Sequence, residues 1–593
     1  MPASRGKFRV HSYESLESRL PLAGQVTVTF DVANGNITLV GDGLGNEVKI
    51  TQTAPGEQVY EGLNGTLFIP PDDMSGGGGG GGMQMPVPMF MISGVGGNMT
   101  INLNAGDDIV EMEGVECGGI LAIEMSVGAD TVMMTETKVN RSANIDTGDG
   151  IGMVLIDTLE SAEALTITGG INADTIHLLR ALLNSTFTVT AGNSANEVIL
   201  DDVQSRGPSS ITTGNGADTI KYINSISNPD DNDIDGDITI TAGTRANDVE
   251  VNNCNIAGRL TISGGADSDT VYIANSFLLL ATTVTMGNGT NACKVTNFFS
   301  SGDLNRGLFG NLLISGGTGI DDVYVGLYIS VAETMPLDGD IDGDGIPDGG
   351  IVILKGVLSV QTSAGLDTIF VGLFDSLDLT IDSGGGSDEV DVYNGTVLGL
   401  TRIETSTTVL SQMGADFDIL RIAYLNVIGN LLINTGVGSD LVSFITSSVP
   451  GSTGINTGAG GDTVAMLIHN LGDLTIITST GSDTVKLDNV LTFGAWRIDT
   501  SDNIDFVFIT GCTASSLDLS LGGGEDRAVI LTSIIDSIFA SLGDGEQDEM
   551  ILSISVVDTN LVIDGGAGGR DIFSRYNSNL PRRQTVFNVE FAS

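Results

Sequence analysis

An aspartate, preceded by small residues and followed by an apolar strand, returns along this chain at nearly fixed intervals. It stands at Asp440, Asp462, Asp483, Asp505, Asp526 and Asp548, in steps of 22, 21, 22, 21 and 22 residues. Earlier copies stand at Asp107, Asp130, Asp174, Asp218, Asp269, Asp321, Asp367 and Asp388. Gly152, Asn196, Asn247, Asn291 and Asp418 fill the intermediate places. A fixed period of this length marks a repeat array, in which no unit buries its apolar face alone. Within each copy, apolar residues alternate with small polar ones, as in "DTVYIANS" and "GRLTISGG", the period-two pattern of half-buried strands. Each copy has room for two or three short strands and their turns. The expected fold is all-β: a single long parallel β-helix, or β-solenoid, of about 20 coils of about 22 residues. Parallel crossovers predict a right-handed winding. At about 4.8 Å per coil the rod would be on the order of 100 Å long.

Composition narrows the function classes. With 75 Asp and Glu against 24 Lys and Arg, the 593-residue chain carries a net charge of −51. Nucleic-acid binding wants the opposite sign, so no nucleic-acid partner is expected. Apolar residues make up 41%, which excludes the composition of disorder. Such a charge repels itself, and bound cations are expected to offset it. Cys117, Cys254, Cys293 and Cys512 stand far apart with no CxxC, so they read as lone buried thiols. His11, His177 and His469 form no metal-ligand spacing. No apolar run approaches the roughly 20 residues that span a bilayer, so no transmembrane span is expected.

The domain reading follows the period. Residues 1–24 read as an export or sorting leader. Residues 25–95 read as an N-terminal cap and first coils, with a Gly-rich loop over 70–91. The β-helix proper is expected over 96–573, with acidic insertions near 228–237 and 333–350. Residues 574–593, which hold Arg575, Arg582 and Arg583 just after Arg570, read as a C-terminal cap, because a terminal coil must cover an open core. The segment Leu16-Glu17-Ser18-Arg19-Leu20-Pro21-Leu22-Ala23 resembles the L-E-x-R-x-L-L-A motif of planctomycete extracellular proteins. Pro21 stands where that family has Leu. The resemblance implies an extracellular or cell-surface location and nothing about activity. The plainer alternative is a polar stretch before the first strand, "QVTVTF".

The breaks in the period carry the metal candidates. Asp340, Asp342, Asp344, Gly345, Ile346 and Asp348 fit D-x-D-x-D-G-x-x-D. Hard Ca²⁺ takes six to eight oxygens, and alternate Asp side chains in a curled loop point to one centre, with Ile346 giving its carbonyl. The segment resembles the calcium loops of thrombospondin type-3 and dockerin-like repeats. Its twelfth position is Ile351 rather than a bidentate Glu, so water or a neighbour such as Asp338 must complete the set. Asp231, Asp233, Asp235 and Asp237 form a weaker copy. The stretch from Asp321 to Asp367 is either two coils or one coil with a long insertion.

A third candidate is the anchor column. "GGTGIDDVY", Gly316 to Tyr324, matches the calcium nonapeptide G-G-x-G-x-D-x-U-x, with Asp321 as its acid. Its relatives recur once per coil rather than every nine residues, so the match is a resemblance of corner chemistry. Carboxylates stacked about 4.8 Å apart repel by about 3.5 kcal/mol at an effective dielectric near 20, so an ungapped column calls for cations. Asn at several anchors points instead to turn residues bonded to backbone in their own corner. Both readings stay open. Asn224, Asn253, Asn275, Asn297, Asn394 and Asn489 share the place six residues after the anchor and are expected to form a side-chain ladder.

The functional expectation is a secreted or cell-surface calcium-binding β-solenoid with a structural or adhesive role, Ca²⁺ as its cofactor and cell-surface glycans or matrix as possible partners. The alternative is a carbohydrate-active β-helix enzyme, a polysaccharide lyase or hydrolase. Such an enzyme needs a clustered acid, base or cation set. Arg180, Lys221, Arg245, Arg259, Lys355, Arg402, Arg421 and Arg497 are sparse and scattered, with no group recurring at one coil offset, and no catalytic residue is singled out. Trp496 reads as packing.

Overall fold

A computed structural model of the chain describes residues 24–71, 85–225, 236–300, 310–326, 352–354, 356–397, 401–404, 417–567 and 569–592. The expected leader over 1–23, positions 72–84 of the Gly-rich loop, and the acidic residues Asp231, Asp233, Asp235, Asp338, Asp340, Asp342, Asp344 and Asp348 with Ile346 lie outside them. The described chain is all β, with no helix, and its parallel coils stack as a β-solenoid of about 19 turns spaced by about 22 residues. Two compact units divide it, residues 1–176 and 177–593.

One coil of the larger unit explains the others. Strand Leu441–Val449 leaves the anchor Asp440, bends at Thr446 where φ is +47°, and is followed by strand Thr453–Asn456. Each pairs in parallel with the same segment one coil on, Leu441 opposite Thr463 and Thr453 opposite Leu474. Alternation turns Val442, Phe444, Val449 and Ile455 inward, all at most 2% exposed. Val464, Met466, Leu471 and Ile476 stack on them, equally buried. Burying one such side chain contributes about 1.5–3 kcal/mol, and the column repeats it coil after coil.

Pairing settles the irregular intervals. Asp322–Val325 lies directly against Thr368–Val371, so 321 to 367 is one coil with an insertion. Likewise Thr219–Ile223 pairs with Asp248–Asn252, so 218 to 247 is also one coil. At the other end the solenoid pattern runs on through the segment expected to cap it. Ile572–Tyr576 pairs in parallel with Glu549–Ser553, and Gln584–Phe587 with Leu561–Asp564.

The smaller unit departs from parallel stacking only at its start. Gln25–Asp31 pairs antiparallel with Asn36–Val40. Glu47–Ala54 pairs antiparallel with Glu57–Gly62, which also takes Met89–Ser93 on its other side. Tyr60 stacks on Phe90 at 4.9 Å between ring centroids. Asn36–Val40 and Glu47–Thr51 then meet Met99–Asn102 and Ile109–Glu113 in parallel, founding the coils. Here one expectation shifts by a residue. The anchor is Asp108, fully buried, while Asp107 sits on the surface and accepts the N–H of Ala129 at 2.9 Å.

Candidate functional site

The anchor side chains form an internal column in each unit, interrupted in the smaller one at Gly152, which has no side chain. One oxygen of each reaches back one coil and accepts the backbone N–H of the preceding anchor. Asp440 donates its N–H to Asp462 Oδ1 at 2.8 Å, and Asp462, Asp483, Asp505 and Asp526 repeat the bond to the next anchor at 2.8 Å each. Asp548 closes the run against Asp571 at 3.1 Å. In the smaller unit the same bond joins Asn46 to Asp108, Asp108 to Asp130, and Gly152 to Asp174. Of the two readings left open by the sequence, turn residues bonded to backbone describe the column better, but the recurring bond runs between coils; bonds to the anchor's own corner accompany it, as where Asp269 accepts the N–H of Gly265 at 3.0 Å.

Where Asn replaces Asp, the amide adds bonds a carboxylate cannot make. Asn247 Nδ2 donates to the carbonyls of Gly243 and Arg245, at 3.0 and 2.7 Å, and to Asp269 Oδ1 at 2.8 Å. Asn196 and Asn291 do the same towards Asp218 and Asp321, at 2.8 and 2.7 Å.

The second carboxylate oxygen is the unusual group. In Asp462, Asp483, Asp505, Asp526 and Asp548 it is buried with no hydrogen-bond partner. The Thr457 and Thr478 side chains lie beside Asp462 and Asp483 and lower their pKa values, but both hydroxyls fall outside hydrogen-bonding geometry. Burial dominates, pushing Asp462, Asp505 and Asp526 up to about 7, with the like-charged neighbours in the column adding to the rise. Asp108, Asp130 and Asp321 rise to about 6, again chiefly from burial. Desolvation disfavours the charged form, and no cationic side chain compensates it.

This arrangement fits calcium poorly. Asp321, the acid of the nonapeptide match, accepts Asn291 Nδ2–H on one oxygen, and only its other oxygen lacks a partner. A Ca²⁺ ion wants six or more oxygens, and the N–H ladder has already taken one from each carboxylate. Among the described residues no group of three or more His, Cys, Asp or Glu side chains is placed to hold a metal. Asp237, the described member of the weaker acidic loop, is exposed at another corner and accepts the N–H of Arg259 at 2.8 Å.

That corner carries a second ladder the sequence reading missed. Asn98, Asn430 and Asp473 accept the N–H of Ile120, Ser452 and Ala495 in the following coil, each at 2.9 Å. Asn311 accepts that of Val357. The signal was present as Gly followed by Asn or Asp before a strand, in "GNMTI", "GDITI", "GNLLI" and "GDLTI". The Asn six residues after the anchor, by contrast, is set by backbone. Asn224, Asn253, Asn275, Asn394 and Asn489 all have φ between +49° and +57°, a region Asn tolerates better than most residues. Asn253 does bond Asn224 at 3.1 Å, but Asn275 turns to Asn252. Asn297 lies where side chains are not described.

The scattered basic residues are engaged across coils. Lys138 meets Glu160 at 3.1 Å, Lys221 meets Glu250 at 3.3 Å and Arg527 meets Glu549 at 2.9 Å. Arg421 binds Glu389 and Asp391. These surface pairs contribute at most about 1 kcal/mol each. Trp496 is 1% exposed, and the four cysteines are free and buried. No helix among the described residues is long and apolar enough to cross a membrane. No known protein family, curated protein or solved structure matches the chain.

Proposed function

We propose that this chain is a secreted or cell-surface calcium-binding solenoid that serves as a structural or adhesive spacer. The observation that carries the reading is the D-x-D-x-D-G-x-x-D segment from Asp340 to Asp348, set in the insertion between Asp321 and Asp367 of a chain of net charge −51. Alternate acids with a glycine at the sixth place supply the oxygens hard Ca²⁺ prefers. Asp338 adds one more, and Asp231, Asp233, Asp235 and Asp237 offer a weaker site of the same kind. The L-E-x-R-x-L-L-A-like leader over residues 16–23, with its resemblance to planctomycete extracellular proteins, supports export. Surface glycans or matrix are the partners such a spacer would meet.

Calorimetric titration of the full chain with Ca²⁺ tests this. Heat of binding is expected, and it should fall sharply in the Asp342→Ala/Asp344→Ala variant while the fold, followed by circular dichroism, stays unchanged. No heat, together with a melting point indifferent to chelator, would overturn the reading.

A further inference from the structure

Five successive coils of the larger unit carry a regularity on their outer surface. In Phe187–Thr190, Ser209–Thr212, Ile238–Thr241, Leu260–Ser263 and the start of Thr282–Ser300, alternate residues turn inward. Ile211, Ile240 and Ile262 are among them and are fully buried, so the sheet is held firmly from behind. The outward residues form two ranks. One runs Thr188, Ser210, Thr239, Thr261, Thr283, and each is directly opposite the next. The second runs beside it through Thr190, Thr212, Thr241, Ser263 and Thr285 in the same register. No bulge interrupts the pairing, and the first register shift falls just past Thr285. Every member reaches solvent.

Chance does not explain this composition. All ten members of the two ranks are Thr or Ser, and neither rank holds a charged or aromatic residue. The strands that follow the anchors in these same coils face outward with Glu197, Lys221, Glu250 and Lys294. A protein partner would be met by aromatic or Arg anchors, which the two ranks lack. What they offer is a regular array of hydroxyl and methyl groups, about 4.8 Å apart between coils and about 6.6 Å apart along each strand. Oxygen rows on the prism face of hexagonal ice repeat on comparable lengths in two directions, slightly shorter than the coil spacing in one and somewhat longer than the strand spacing in the other. Rigid hydroxyls at that spacing can take lattice positions, and methyl groups between them order water without binding it.

We propose that this Thr/Ser face binds the surface of ice. The inference is independent of the calcium reading. The test is ice-affinity partitioning of the purified full chain, with and without calcium, beside an inspection of recrystallisation in frozen droplets. The folded chain is expected to enter slowly grown ice and to keep its grains small. Thr239→Tyr, at the centre of one rank, should require about tenfold more protein for the same effect, the loss expected of a clash at the middle of a contact face. Thr212→Lys places a charge on the other rank and serves if the first variant does not fold. Lys221→Tyr, on the charged face, should behave as the parent. Exclusion of the folded parent from ice would overturn the proposal. So would variants that melt lower but enter ice unchanged, since the ranks would then be only a stabilising cross-strand ladder.

Discussion

The anchor column is built in two ways within one unit. From Asn196 to Asn291 it alternates: Asn196, Asp218, Asn247, Asp269, Asn291. From Asp367 to Asp571 every described anchor is Asp. In the alternating run each amide donates to the next carboxylate and to its own corner, so neutral and ionisable groups share the load. In the all-Asp run, neighbouring acids about 4.8 Å apart would repel by about 3.5 kcal/mol at an effective dielectric near 20 if both were charged, and alternation halves that by doubling the distance. In the all-Asp run burial and like-charged neighbours push Asp462, Asp505 and Asp526 up to about 7, which eases that repulsion. The corner six residues on divides only in part. The alternating run places Asn224, Asn253 and Asn275 at positive φ, whereas the all-Asp run keeps Asn394 and Asn489 there but also places Thr446, Thr532 and Ile554, where β-branched side chains are strained. One stretch of the solenoid is thus satisfied residue by residue, and the other relies on its aliphatic core to hold costly corners.

The largest expected difference is between two truncations. Asn247→Ala removes the acceptor of Asp218 N–H and three donated bonds, a loss of about 3 kcal/mol. Asp505→Ala orphans one N–H, that of Asp483, but also removes a like-charged neighbour, for a net loss of about 1 kcal/mol. Urea unfolding of both should separate them, and equal losses would break the comparison. Next comes pH. Asp462, Asp505 and Asp526 bind protons more tightly folded, near 7, than unfolded, near 3.8. Their stabilisation is complete below the unfolded value and is lost as pH rises through the folded one. The melting temperature should therefore fall between pH 5 and pH 8. Asp505→Asn should flatten that fall, gaining about 1 kcal/mol at pH 8 and nothing at pH 5. A gain at both pH values would mean that geometry, not charge, limits the run. The smallest effect is at the bend: Ile554→Asn, with φ of +52°, should add about 0.5–1 kcal/mol by relieving a left-handed residue, read from the same urea curves.

Much of this was legible in advance because corner chemistry is local. Asn196, Asn247 and Asn291 could be placed in the anchor series by spacing alone, and they stand there buried. What escaped depended on contacts between coils. Asp107 and Asp108 could each be the anchor, since Ile109 and Val110 are both apolar and only pairing shows that Val110 is the buried one. The 46 residues from Asp321 to Asp367 nearly equal two coils in length, and only strand register reduces them to one. The left-handed corner was visible where it is Asn and hidden where it is Leu373 or Ile554, residues that read as strand formers. Of the candidate metal residues, Asp321 and Asp237 could be weighed against their partners, and both are committed to hydrogen bonds along the stack.

The anchor bond has a consequence for how such a chain can change length. From Asp367 to Asp571 every described anchor accepts its predecessor's N–H in the same way, so these anchors are equivalent sockets. Removing residues 463–483 would bring the N–H of Asp462 to the carboxylate that now serves Asp483, with the core rows still in register. Duplicating them would add one step in the same manner. Losing half a coil would instead misplace both ladders at once. Growth and shrinkage by whole coils is therefore the mode of variation that the column permits, and relatives of this chain should differ by multiples of its period.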